Sequence, residues 1–288
     1  MPDVMQPLLD FLNGWELFRD PILCGMGAGA VLGMLGVFIV LRRMVFISAA
    51  LSQAAGLGVA LAFFAQIHLG IAASLADPRL GALVLTLLAA GLLRKEPKGR
   101  LSREGLLGMA YLVGAAGTLM VGTRITQEAH DIQAILFGTG VLVRPSDTAW
   151  VLVTALVLIA LMVWWRRGLV FSSFDPDGAK VRGLPVSFLA GFILVAIAFT
   201  VSIATRALGA LPVFAFSVLP AMAAIALARN PTAAMLLAAL FGALGGVGGY
   251  MLAFFGDFPV GASQSVFCAL LAVLALSARA LVPSPKHA

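Results

Sequence analysis

Residues 21–41 read PILCGMGAGAVLGMLGVFIVL, and the pair Arg42-Arg43 follows at once. That stretch carries no charge, and it is as long as the ~20 apolar residues needed to cross a hydrocarbon core. Similar runs recur along the chain, at about 47–67, 71–93, 105–123, 147–165, 186–205, 209–228, 232–254 and 260–280. The pattern predicts an all-α, polytopic integral membrane bundle of eight or nine transmembrane helices. The count falls to eight if two of these segments form one broken helix. The third segment is the least regular, because Asp77, Pro78 and Arg79 interrupt its start. The seventh holds Pro212 and Pro220, which membrane helices tolerate when neighbours satisfy the freed carbonyl.

Composition agrees. Of 288 residues, 61% are hydrophobic and 11% charged, with a mean hydropathy of +1.04. Soluble domains run at roughly 45–50% apolar and about 25% charged. A soluble enzyme, a disordered tail and a nucleic-acid-binding domain are excluded. Nine spans use about 180 residues, which leaves no room for a second, soluble catalytic domain. The expected organisation is an extracytoplasmic N-terminal tail (1–20), a transmembrane domain (21–280) with a polar cytoplasmic loop at 166–185, and a cytoplasmic tail (281–288). The first twenty residues are acidic (Asp3, Asp10, Glu16, Asp20), unlike the basic start of a secretory signal, and read as an uncleaved tail.

The net charge of +6 reads as orientation. With the N-terminus outside, Arg42, Arg43, Arg94, Lys95, Lys98, Arg100, Arg103, Arg166, Arg167, Lys180, Arg182, Arg229, Arg279 and Lys286 all fall inside. Only Arg19, Arg79, Arg124, Arg144 and Arg206 fall outside. An outside N-terminus and an inside C-terminus follow. Trp164 and Trp165 beside Arg166 and Arg167 read as an interfacial anchor. The scattered methionines, Cys24 and Cys268 read as apolar packing. Gly25, Gly29 and Gly33, Gly242 with Gly246, and Gly245 with Gly249 repeat at four-residue spacing. Such stripes let helix backbones approach closely, either within one subunit or across a dimer seam.

No residues assemble a catalytic set. His68, His130 and His287 are scattered, and neither a Gly-x-Ser-x-Gly elbow nor a His-Glu-x-x-His helix occurs. The spans are nearly free of the buried charges that ion-coupled carriers use. Energy then comes most simply from a partner. The loop Phe171–Pro185 fits such a role. Asp175 is placed to cap a short helix beginning at Pro176, with Asp177 in its first turn and Gly183 ending it. On these grounds alone it is equally a docking element or a connecting loop.

The segment Phe174-Asp175-Pro176-Asp177-x-Ala179-x-x-x-Gly183 resembles the ATPase-coupling loop of the zinc/manganese ABC permeases, the membrane subunits of ABC-3 type importers. Other blocks follow in the family's order: Val40–Met44, Leu136-Phe137-Gly138, Gly209-Ala210-Leu211 through Leu219-Pro220-Ala221, and Asp257-Phe258-Pro259-Val260-Gly261, with valine where threonine is usual. The similarity covers about residues 20–280. It implies cytoplasmic ATPase subunits docked on Phe174, Asp175, Pro176, Asp177, Ala179 and Gly183. It also implies an extracytoplasmic solute-binding protein and a second permease subunit, in a homodimer. ATP and Mg would sit on the partner ATPase; this chain binds no cofactor and lacks a Gly-x-x-x-x-Gly-Lys phosphate loop. Membrane lipid is its solvent, and nucleic acid is no partner.

One departure concerns the cargo. The family's second helix opens Asp-Ala-Leu-Ser-His-Ala, whereas this chain has Ala49-Ala50-Leu51-Ser52-Gln53-Ala54. The two replaced positions lie four apart on one helix face. Alanine and a neutral amide do not make a borderline-metal site. The cargo is then a divalent metal held more weakly, or a metal chelate or non-metal solute; an ATP-independent carrier is a further alternative. Ser48, Ser52, Gln53, Ser217 and Pro220 are the candidates for the path. The serines serve equally well as interhelical hydrogen-bonding groups. Glu128, His130 and Asp131 are weak candidates for an outer metal-collecting cluster, against a plain solvated loop.

Overall fold

The computed structural model describes residues 11, 13–72, 75–93, 102–125 and 143–281. These form eleven helices and, among the described residues, no strands. In chain order they are α1 Trp15–Leu41, α2 Val45–His68, α3 Pro78–Leu93, α4 Arg103–Ile125, α5 Pro145–Trp164, α6 Arg166–Phe174, α7 Pro176–Val181, α8 Val186–Leu208, α9 Ala210–Leu227, α10 Pro231–Gly256 and α11 Val260–Leu281. Eight of them are long and apolar enough to cross a membrane; α3, with 16 residues, is shorter.

The first helix begins at Trp15, six residues before the expected start, so part of the expected N-terminal tail is helical. The charge-free run opens at Pro21, just after Arg19 and Asp20, and a proline lacks an N–H. Pro21 instead sits inside the helix, where one lost bond is tolerated, and Glu16 lies in the first turn, at the favourable end of the helix dipole. Phe18 stacks on Phe11 and meets Phe254 edge-on, which holds this first turn against α10.

At its centre the bundle is a backbone-to-backbone crossing of α1 and α10. A methyl group added to Gly29 would run into the Gly242 carbonyl, one on Gly246 into Gly25, and one on Gly33 into the Ala238 carbonyl. The two glycine stripes are therefore used against each other within one chain, not across a dimer seam. On α10, Gly245 faces Cys268 and Gly249 faces Gln264, both on α11. The surrounding core is aliphatic, with Leu32, Leu35, Phe38, Leu51, Ile193, Ile197 and Phe216 fully buried.

Helices α8 and α9 are separate. They meet at Gly209, whose φ of 91° and ψ of 164° suit glycine alone. Pro212 lies in the first turn of α9, and Pro220 is the one proline in its interior.

Polar contacts at the helix ends define two faces. At one, Asp147 at the start of α5 accepts from Arg79 (Nη2, 2.6 Å; Nε, 3.1 Å) at the start of α3 and from Arg206 (Nη1, 2.9 Å) at the end of α8. At the other, Arg42 after α1 reaches Ser172 and Ser173 in α6, directly beyond the end of α5. Helix α3 starts on the Asp147 face and packs along α2 and α8. At ~1.5 Å per residue it is about 24 Å long, a short ninth segment with a hydrogen-bonded guanidinium at its polar end.

Candidate functional site

Two of the residue sets singled out in the sequence are built in this structure, at different depths of the bundle. The first is a serine bridge between α2 and α9. Ser48 Oγ and Ser217 Oγ lie 2.5 Å apart, and both side chains are buried. Ser217 Oγ also donates to the Phe214 carbonyl at 2.7 Å. A hydroxyl has one proton, so Ser48 is the donor in the bridge. One turn on, Ser52 Oγ donates to the Ser48 carbonyl at 2.9 Å. Pro220, also buried, follows Ser217 by one turn and packs against Gly33 of α1. The serines are thus saturated by one another and by helix carbonyls, and they tie α2 to α9.

Gln53 lies next to Ser52 but faces α4, where its backbone and Cβ meet Gly114. Its Oε1 is buried and has no hydrogen-bond partner among the described residues. An unsatisfied buried acceptor costs on the order of 1–3 kcal/mol, so a partner for this atom is worth having. Ala49, one turn before it, is buried and brings no donor or acceptor in its side chain.

The second set is the loop after α5. Asp175 Oδ1 accepts from the Gly178 amide at 2.9 Å and caps α7, with Pro176 as first residue. Asp177 and Lys180 pair at 3.2 Å within the helix. The chain leaves through Gly183 at φ 75°, a left-handed turn that favours glycine. Ala179 is fully buried and roots α7 against the bundle, while Phe174 is 59% and Val181 89% exposed. Beside Phe174 an open cavity of about 190 Å³ separates it from the α9–α10 turn (Ala228 to Pro231) and from Val37 and Leu41 of α1. Trp164 projects outward, but Trp165 turns in against Phe188 and Phe192 of α8.

Glu128, His130 and Asp131 lie outside the described residues, as do Leu136-Phe137-Gly138 and residues 281–288 beyond Leu281. Among the described residues no group of three or more His, Cys, Asp or Glu side chains is placed to hold a metal ion.

Sequence reasoning missed three features. The Arg79–Asp147–Arg206 cluster was visible only as three separate loop charges. The Arg42 contacts with Ser172 and Ser173 cross about 130 positions. Gln264 is fully buried and donates to the Gly246 carbonyl at 3.3 Å, and its own Oε1 has no partner among the described residues. The one legible signal for Gln264 was an amide within an otherwise apolar span.

Eight helices long and apolar enough to cross a membrane, with a short capped helix displayed at one helix-end face, define the class of the chain as a polytopic helical membrane protein. The ABC 3 transport family matches residues 15–279, and the chain belongs to that family. Among curated relatives, it is 27% identical over 267 residues to the high-affinity zinc uptake system membrane protein ZnuB of Haemophilus influenzae, covering 92% of this chain and 98% of that one. It is 26% identical over 269 residues to the manganese transport system membrane protein MntC of Listeria monocytogenes, covering 93% and 92%. Among solved structures, PsaBC from Streptococcus pneumoniae in complex with Fab shares the fold, with a TM-score of 0.80, 24% identity and 97% of each chain covered.

Proposed function

We propose that this chain is the permease of an ATP-driven importer for a divalent metal ion, zinc or manganese. It lines the path, and cytoplasmic ATPase subunits dock on the segment of Phe174, Asp175, Pro176, Asp177 and Gly183, with buried Ala179 seating that segment on the bundle and not itself touched by the partner. The observation that carries this reading is the capped helix α7. It is rooted by Ala179, and two large apolar side chains, Phe174 at the end of α6 and Val181 at the end of α7, stand in the open beside polar residues. Exposed apolar groups of this kind are what a partner surface covers. The names of the curated relatives supply the metal. ATP and Mg belong to the partner, a solute-binding protein delivers the ion, and a second copy completes the dimer. The excess of basic residues on the Arg42 face supports placing that face in the cytoplasm, with the N-terminus outside.

Ser48, Ser52, Gln53, Ser217 and Pro220 border the path. The unpartnered Gln53 oxygen is the atom best suited to meet a passing ligand. Ala49 and Gln53 favour a second reading, in which the cargo is a chelate or non-metal solute recognised by hydrogen bonds and not by direct metal ligation.

Whole-cell elemental content in metal-limited medium, with and without the gene, tests the reading. A selective fall in zinc or manganese, restored by the wild type but not by Asp175→Arg, is the expected result. No change in any metal, in a strain without a second permease, overturns metal import and leaves the second reading.

A further inference from the structure

We infer that Arg42 is the positioning residue that carries movement of the coupling segment into α2, the helix bearing Ser48, Ser52 and Gln53. This rests on the docking role proposed for Asp175 to Gly183.

A push on α7 has two ways into the bundle. One is covalent, through Gly183 into α8. The other crosses space. Arg42 Nε donates to Ser173 Oγ at 3.0 Å and Nη2 to Ser172 Oγ at 3.4 Å, both in the last turn of α6 and just before the Asp175 cap. Ser173 and Ser172 also donate to the Leu169 carbonyl (2.6 and 3.2 Å), and Leu169 is fully buried, so the two hydroxyls are fixed acceptors for the guanidinium. On its own side, Arg42 is the C-cap of α1, and α2 begins three residues later at Val45. The connecting turn is tight. Arg43 holds φ at 54°, and the amides of Arg42, Arg43 and Met44 donate to Phe38, Val40 and Ile39. A displacement of Arg42 thus enters the first turn of α2 with little slack, and Ser48 lies in that turn.

The link is polar, beside the apolar seating of Leu169 and Ala179. The cavity beside Phe174 leaves that flank of the coupling segment unpacked against α1. Arg42 forms no ion pair among the described residues, and burial without a carboxylate beside it draws its pKa below the ordinary arginine value. Two serine hydroxyls instead form a contact able to break and reform during a cycle, and the planar fork of arginine spans both, which a lysine ammonium does not.

The test uses the complete transporter, this chain with its ATPase in lipid nanodiscs, carrying Gln53→Cys as a reporter. Cys24 and Cys268 are both buried and give a low background. The rate of maleimide labelling at position 53 is compared without nucleotide and after ATP–vanadate trapping, with ATP hydrolysis measured in parallel. With Arg42 intact, trapping changes the rate. In Arg42→Ala that change shrinks about tenfold, the worth of one charge-assisted hydrogen bond, while hydrolysis continues. Arg42→Lys restores part of it, and the Ser172→Ala/Ser173→Ala pair shrinks it by a smaller factor. A full nucleotide-dependent change in Arg42→Ala overturns the inference. If that variant does not fold, a full change in the serine pair overturns it equally, as does the absence of any change with Arg42 intact. Failure of the underlying docking role shows elsewhere, as an ATPase complex undiminished by Asp175→Arg.

Discussion

The Ser48 hydroxyl donates to the Ser217 hydroxyl at 2.5 Å, and the two side chains are wholly enclosed between α2 and α9. Ser217→Ala strands the Ser48 donor in a dry environment, which costs about 1–2 kcal/mol. Ser48→Ala/Ser217→Ala removes both partners and costs less than the sum of the two single changes. Thermal unfolding of the four proteins in one detergent gives the coupling directly; additive single effects would show that the bridge contributes nothing.

Asp147 pairs with two guanidiniums through one carboxylate oxygen, and it and Arg206 are only 13% and 14% exposed. Asp147→Asn leaves Arg79 and Arg206 facing each other across an uncharged amide. A loss on the order of 2–4 kcal/mol is expected, as for breaking an enclosed pair from one side. Adding Arg206→Gln recovers part of that loss. Denaturation midpoints of the single and double variants check the order.

Gly29→Ala drives a methyl group into the Gly242 carbonyl, and backbone on both sides cannot yield. Overpacking of this kind costs roughly 1–3 kcal/mol or more. Gly91→Ala, where a Cβ meets nothing, serves as the control and leaves stability unchanged or slightly raised. Yield of monodisperse protein and its melting temperature separate the two.

Asp175→Ala removes the side-chain cap of α7 and weakens that helix by about 1 kcal/mol. The bundle's melting temperature hardly moves, because α7 is exposed and six residues long. Recovery of the ATPase with the purified permease falls, and Asp175→Asn, which keeps a capping oxygen, restores most of it. Equal loss in both variants would mean that charge, not the cap, matters.

Ala49→Asp/Gln53→His installs a carboxylate and an imidazole one turn apart on α2. Zinc accumulation is expected to rise in the double variant and not in either single one, since two ligands on one helix face act together. Elemental analysis of cells expressing each variant decides it.

What the sequence made legible was local. Charge-free runs announced the spans, and Asp175-Pro176 with Gly183 announced a capped helix and its exit, because caps are decided within a few residues. The four-residue glycine spacing announced close packing but could not name the partner, since a stripe shows what kind of surface is wanted and not which one arrives. Arg79, Asp147 and Arg206 are separated by 59 and 68 positions, and nothing in their neighbourhoods marks them as one cluster. The same holds for Arg42, whose two acceptors are ordinary serines in an amphipathic turn. The start of α1 erred in the other direction: the charge-free run opens after Arg19 and Asp20, whereas the helix reaches back to Trp15, where Phe11, Phe18 and Phe254 meet.

The crossing of α1 and α10 has a mechanical consequence. Where carbonyl rests on Cα with no side chain between, there is no rotamer to flip and no cushion to compress. The two helices can swing only as a welded strut. A rearrangement of the bundle is then expected to carry α1 and α10 together as one body.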